Sequence, residues 1–318
     1  MAALFTSPSG QTGTDTVETA PKMEPSPPSL TVIVRTLGRH NRLADALESL
    51  ARQEWRDFEV VVVDMSEGKV ASTLDQFNTR VPGLRHVALP PSPRPVALNA
   101  GIAAARAPRI AILDDDNIYD PGHLAILAEG LADPAVDCVY TGVRHATYSS
   151  KGDFVESSDV SIPFEFESLL IGNFIYATGS AYRKAIWERV GGYDNRFTVF
   201  EDWDFLIRVA VAGRLRHIPV VSSESRKFTG IPGVANFDLE IAAVRRCHAG
   251  IHWKHRRLLD AAARARLKRA YAAHCRRRRP PRKGLLSWTL GGWRLEFGWD
   301  LLAWWWGNLP WAAGRRTP

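Results

Sequence analysis

At 318 residues the chain is long enough to bury a full hydrophobic core, and one large α/β domain with extensions is the expectation. Its 45% hydrophobic and 24% charged content is that of an ordinary soluble protein, and three scattered cysteines (Cys138, Cys247, Cys275) suit neither a disulfide framework nor a zinc site, which points to a reducing compartment. The net charge of +7 is uneven: from Arg245 onward 18 Lys/Arg face 3 Asp/Glu, whereas the first 244 residues hold 23 basic and 31 acidic. A basic tail behind an acidic body suits either an anionic partner or a solvated basic helix.

Residues 1–29 are rich in Pro, Ser, Thr and Gly and bury too little apolar surface to offset their ordering entropy, so this segment is expected to be disordered. Its start has neither a basic n-region nor an apolar h-region, and no apolar run in the chain is long enough to span a bilayer. A cytoplasmic protein is the expectation. From Leu30 the pattern alternates between strand and helix: LTVIV (30–34), a helix with Leu43, Leu47, Leu50 and Ala51 on one face, and FEVVVV (58–63). A helix around 70–78, a strand near Leu84–Leu89, a helix from Val96 to Arg106 and the strand RIAIL (109–113) continue it. Apolar runs without alternation imply strands buried on both faces, hence a mostly parallel doubly wound sheet with helices on both sides. Ligands bind such sheets beyond the carboxyl ends of the strands, where Arg35-Thr36, Asp64 and Asp114–Asp116 all fall. Past residue 140 strands near Val139–Arg144 and Tyr176–Tyr182 and a helix from Asp202 to Ala212 are expected to extend the sheet.

Three adjacent carboxylates repel one another, so ILDDDNIYDPGHL (112–124) needs an explanation. One is a divalent cation, because Mg²⁺ and Mn²⁺ favour hard oxygen ligands and would also neutralise a diphosphate. The other is a helix start, since acidic residues favour helix N-termini and Pro121 suits the first turn. The position directly after a buried strand favours the metal.

Four segments in order resemble the large inverting glycosyltransferase family two, which has the GT-A fold. They are LTVIVRT…ADALESLARQEWRDFEVVVVDMSEG, ALNAGIAAARAPRIAILDDDN, GSAYRKAIWERVGGYDNRF and FEDWDFLIRVAVAG, spanning Leu30 to about Arg208. The resemblance implies transfer of a sugar from a nucleotide donor, with UDP-sugars favoured, to a glycan, lipid-linked or other hydroxyl acceptor, with Mg²⁺ or Mn²⁺ as cofactor. It implies a domain at 30–242, with a nucleotide-binding half to about 120 and an acceptor half from about 121. Thr36 and Asp64 would contact the nucleoside and Asn99 would lie behind the diphosphate. Asp114 would approach the ribose or the metal, Asp116 would ligate the metal, and Asp115 would stand between them. Asp202 would be the general base, with Glu201 beside it; a plain helix cap is the alternative for Asp202. The chain departs from the family pattern at Arg35 and Leu37, where the family has Pro and an aromatic, and at Met65. The basic residue usual near Asn99 falls to Arg94 or Arg39. The stretch SSESRKFTG (222–230) lacks the His that often completes the metal site, which leaves Arg226 and Lys227 as diphosphate candidates and His217, His248 and His252 as substitutes.

Residues 243–318 read as a basic, Trp-rich helical extension, with seven of the eleven tryptophans between Trp288 and Trp311 and RRRRPPRK at 276–283. Such a segment suits an interfacial helix on an anionic membrane, which would make the protein peripheral at the inner face; packing on the domain or on a second subunit is the equal alternative. No nucleic-acid recognition module accompanies the basic residues, so nucleic acid is not an expected partner. Two rivals remain. A nucleotidyltransferase would need a Gly-rich phosphate loop, of which RTLGRHN (35–41) is a poor version, and a non-catalytic scaffold of the same fold would not need both Asp116 and Asp202.

Overall fold

The computed structural model describes residues 27–229, 237–259 and 265. The expected disorder of residues 1–29 falls almost wholly outside the described residues, as do the Trp-rich end and Cys275. The first half alternates strand and helix: β1 Leu30–Thr36, α1 His40–Ala51, β2 Phe58–Asp64, α2 Ala71–Phe77, β3 Leu84–Ala88, α3 Arg94–Ala104 and β4 Arg109–Asp114. The four strands pair in parallel in the order β3-β2-β1-β4. β2 and β3 are thus built outward on one side of β1, and β4 returns to its other side. That reversal makes the β1/β4 junction a topological switch point, with a crevice outside its carboxyl ends.

The two-residue period of a strand sorts the side chains between two cores. Val32, Val34, Val60 and Val62 face α1 and α2, where Leu43, Leu47, Leu50 and Phe77 cover them. Ile33, Val61, Val63 and Ile112 face the opposite way, against Ala97, Leu98 and Ile102 of α3. All seven residues of β1 and of β2 are buried, as an apolar run covered on both faces requires.

The second half comprises β5 Ile118–Tyr119, α4 His123–Gly130, β6 Cys138–Tyr148, β7 Phe154–Val160, α5 Phe166–Leu169, a 3₁₀ turn at Ala177–Gly179, β8 Ser180–Arg183 and α6 Lys184–Arg189. α7 Glu201–Ala212, β9 Leu215–Phe228 and α8 Phe237–Lys254 complete it. β8 joins β4 antiparallel, β6 follows β8, and β9 runs parallel to β6 and carries β5 on its far edge, while β7 pairs with β6. The sheet is therefore parallel in its first half and mixed in its second. The expected boundary at 242/243 falls inside α8, whose Cys247 and Ile251 share a core with Trp203 and Phe205 of α7. Among the described residues no helix is long and apolar enough to cross a membrane.

Candidate functional site

Register brings the site together. Arg35 lies opposite Asp114 across β1 and β4, and Thr36 lies opposite Asp64 across β1 and β2. Directly after β4 the chain turns, with the Asn117 N–H donating to the Asp114 carbonyl at 3.0 Å, so three carboxylates leave one strand end in different directions. Neither half of the helix-start explanation for this run holds: α4 begins only at His123 and its N-cap, Gly122, has no side chain.

Each carboxylate of the run meets an arginine. Asp114 is held by the Arg35 Nε at 3.0 Å through Oδ1 and by the Arg94 Nη2 at 2.9 Å through Oδ2. Asp115, wholly buried, accepts from the Thr36 hydroxyl at 2.7 Å and from the Arg39 guanidinium. Arg39 also reaches Asp116 at 2.8 Å, through Oδ2 alone. Burial by itself would raise the Asp114 carboxyl, but Arg35, Arg94 and Arg39 bring it down to about 2. At Asp116 burial and the neighbouring Asp114 outweigh Arg39, and its carboxyl titrates above the usual range.

α7 delivers a second acidic pair to the same place. Its N-cap, Phe200, sits in the left-handed region at φ 62°, a conformation costly for a bulky side chain and one that aims the first turn of the helix. Glu201 and Asp202 occupy that turn, where the helix dipole favours negative charge. Asp202 is not the cap residue. It accepts from the Asn173 amide at 3.0 Å and the Trp203 N–H at 2.9 Å. Arg94 closes the arrangement: its Nε lies 2.7 Å from Glu201 while its Nη2 holds Asp114. One guanidinium thus ties the end of β4 to the start of α7. Burial raises the Glu201 and Asp202 carboxyls and Arg94 partly offsets this.

Two expected contact residues have other employment. Asp64 is buried and accepts from the N–H groups of Ser66 at 2.8 Å and Gly68 at 3.2 Å and from His86 at 3.2 Å, which fixes the turn after β2. Asn99 exchanges hydrogen bonds with the Tyr193 backbone at 2.9 Å in both directions and accepts from the Trp187 indole at 3.2 Å. Arg226 is paired with Asp45 and Glu224, and His217 with Ser161, while His248 and His252 pack on Trp203. Sequence reasoning missed the bracing role of Arg35, the Arg94–Glu201 contact and Asn173. The signal for Arg35 was its place at a strand end where the family pattern has proline.

Five carboxyl groups (Asp114, Asp115, Asp116, Glu201, Asp202) face three guanidiniums (Arg35, Arg39, Arg94) here. Among the described residues no three His, Cys, Asp or Glu side chains are arranged to hold a metal by themselves. Mg²⁺-type sites characteristically use one or two carboxylates and complete their shell with water and substrate phosphates. The surplus negative charge, expressed in the raised Asp116, Glu201 and Asp202 carboxyls, and the half-buried Asp116, whose pairing with Arg39 uses one oxygen, fit such a partial site.

A sheet parallel in its first half and mixed in its second, with a switch-point crevice lined by an acidic run and a second acidic pair on a covering helix, has the layout of a GT-A-type glycosyltransferase fold. The chain belongs to glycosyl transferase family 2, whose model matches residues 31–191. It is 31% identical over 208 residues to the PGL/p-HBAD biosynthesis glycosyltransferase of Mycobacterium tuberculosis, covering 61% of this chain and 76% of that one. It is 25% identical over 203 residues to the uncharacterized glycosyltransferase YwdF of Bacillus subtilis, covering 61% and 72%. In fold it resembles residues 1–349 of S. aureus TarS, solved with UDP-GlcNAc, with a TM-score of 0.54 at 17% identity over 69% of this chain and 65% of that one.

Proposed function

We propose that the chain transfers a sugar, with inversion, from a nucleoside diphosphate donor to an acceptor hydroxyl. The observation that carries this reading is the Arg94 bridge, which brings the start of α7, with Asp202, to the switch-point crevice at Asp114. The donor lies in that crevice, with Thr36, Arg39, Asp114 and Asp115 framing its nucleoside and ribose side. A UDP-sugar is the first donor to test. Asp64 and Asn99 act at one remove, by fixing the loops that line the crevice.

Asp202 takes the proton of the acceptor hydroxyl. The acceptor oxygen attacks the anomeric carbon, and the bond from that carbon to the diphosphate oxygen breaks with its electron pair on the leaving group. Attack opposite the departing bond inverts the anomeric configuration. A carboxyl raised by burial is a stronger base than a solvated one, which suits Asp202, and Arg94 holds the neighbouring Glu201 out of competition by ion pairing. Asp116 is the residue best suited to hold a divalent cation, with Asp114 beside it; when bound, the ion neutralises charge on the departing diphosphate. Arg39 and Arg94, which hold Asp116 and Asp114 and are more exposed than Arg35, orient the diphosphate. The test is turnover of a panel of nucleotide sugars with and without Mn²⁺. Activity surviving unchanged in both Asp116→Ala and Asp202→Ala would overturn the mechanism.

A further inference from the structure

The loop at 173–178 runs from Asp202 to the acidic run. At one end the Asn173 amide donates to Asp202 at 3.0 Å; at the other the Thr178 hydroxyl accepts from the amide of Asn117, next to Asp116, at 2.7 Å. Tyr176 lies between them in the chain. Burial and then the Asp202 charge raise its phenol, so the half-buried ring sits within the field of that carboxylate. The same ring meets the imidazole of His145 on β6 edge to face, with centroids 4.4 Å apart.

His145 belongs to one face of the ribbon formed by β7, β6 and β9. It is registered opposite Ser158 of β7 and Ser225 of β9, and Thr147, two residues on, opposite Glu156 and Lys227. Opposed residues and residues two apart share a face, so these side chains form one surface, roughly 10 Å across the three strands and about 7 Å along them. Arg226, next to Ser225, belongs to the other face and pairs with Asp45 of α1. The His145 face is therefore turned away from α1 and lies beside Tyr176. Among the described residues none of its six side chains, nor the Tyr176 hydroxyl, has a hydrogen-bond or ion-pair partner. The Nε2 of His145 is buried, and a buried polar atom left unmet disfavours folding unless a ligand meets it.

We propose that this face is the acceptor subsite and that it takes a neutral saccharide, whose reacting hydroxyl lies at Asp202 while its other hydroxyls pair with Tyr176, His145, Ser158 and Ser225; the acceptor role rests on the transferase reading above. The residue types select this occupant. Burial lowers the His145 imidazole, so near neutral pH the ring is uncharged, with one donor and one acceptor nitrogen. Serine and tyrosine hydroxyls likewise donate and accept, as sugar hydroxyls do, so each pair can be made in either sense. An apolar occupant would cover these groups and leave them unpaired, which is the costly case. A polyanion meets no surplus of cations, because Lys227 and Glu156 flank Thr147 with opposite charges.

Titrations of the full chain followed by saturation-transfer NMR, with and without UDP and Mn²⁺, test this. The probes are methyl glycosides of neutral hexose disaccharides, with phenol as the apolar control and glycerol 3-phosphate as the anionic one. Sugar-ring protons should receive saturation and the controls should not. His145→Leu and Ser225→Ala should each weaken disaccharide binding roughly tenfold, the loss of one hydrogen bond, with folding checked by circular dichroism. His145→Asn, which keeps a donor and an acceptor, should recover part of that loss, an outcome that a purely structural role does not predict. Binding of phenol or glycerol 3-phosphate as tight as that of the disaccharides overturns the proposal. So does the absence of any disaccharide signal, or an affinity unchanged in both His145→Leu and Ser225→Ala. Absence of nucleotide-sugar turnover by the parent protein, with disaccharide binding and its loss in the variants intact, would instead sink the transferase reading and leave the saccharide surface standing.

Discussion

A carboxyl group held among other carboxyls and away from water gives up its proton late, and three in the site do so: Asp116, Glu201 and Asp202. Asp114 escapes because two arginines touch it, whereas Asp202 has only dipolar partners and the more distant charge of Arg94. Replacing Asp202 by Asn keeps the shape and the Asn173 neighbourhood but removes the base. Transfer should fall by roughly 10²–10⁴-fold, the range expected for loss of a general base, with donor binding preserved by calorimetry. Arg94 makes a sharper prediction. Its charge lowers the Asp202 carboxyl, so Arg94→Gln should raise it further, and the acidic limb of the kcat profile should move to higher pH. A profile displaced towards lower pH, or a uniform loss with no displacement, would show that Arg94 acts only by contact. None of the pairings of Arg35, Arg39 and Arg94 could be read in advance from the spacing of residues. Arg94 and Glu201 are far apart in the chain, and a one-dimensional pattern does not record which of many arginines a fold carries to a given carboxylate.

Elements position these residues through close approach. Cβ added at Gly101 would lie 2.7 Å from methyl groups of both Ile33 and Val63, so α3 rests directly on β1 and β2 only because residue 101 has no side chain. Gly101→Ala should push the helix outward, cost about 1–3 kcal/mol in a denaturant titration, and reduce turnover as Arg94 at the helix start moves with it. Gly192 has a related task. Its φ of +70° and the Asn99 oxygen, 2.9 Å from where a Cβ would be, bind the turn before α7 to the middle of α3. Asn99 and Gly101 on α3 and Gly192-Tyr193 in that turn thus belong to one joint. In the first half β1, β2 and the middle of β4 were legible as apolar runs buried on both sides and α1 by its apolar face, whereas β3 is an edge strand only partly buried. The expected strands near Val139–Arg144 and Tyr176–Tyr182 appear as the start of β6 and as β8, but the two-residue β5, the exposed β7 and the long β9 carry no such pattern; their neighbours decide them.

At the scale of the whole molecule, the crevice is a stored imbalance of charge. Asp116, Glu201 and Asp202 titrate above their ordinary values in the folded chain, so ionising them disfavours folding. A carboxyl with a raised folded value takes up a proton more readily when folded than when unfolded. Stability contributed by these groups is therefore lost as pH rises through their folded values and regained on mild acidification. Asp114 works in the opposite sense: its stabilisation is present above the usual carboxylate range and is lost only as pH falls towards about 2. Melting temperature should accordingly rise between pH 8 and about pH 5 before acid unfolding begins. A divalent cation binding the folded crevice would relieve the same repulsion at neutral pH. At a hundredfold excess over its Kd it should stabilise by about 2.7 kcal/mol, a shift of roughly 5–10 °C for a domain of this size, and the shift should shrink on acidification as protons replace the ion. Asp116→Asn should melt higher than the parent protein without metal and gain nothing from Mn²⁺. If Mn²⁺ stabilises the parent and Asp116→Asn equally, the ion binds elsewhere and the charge surplus at the crevice is held by the arginines alone.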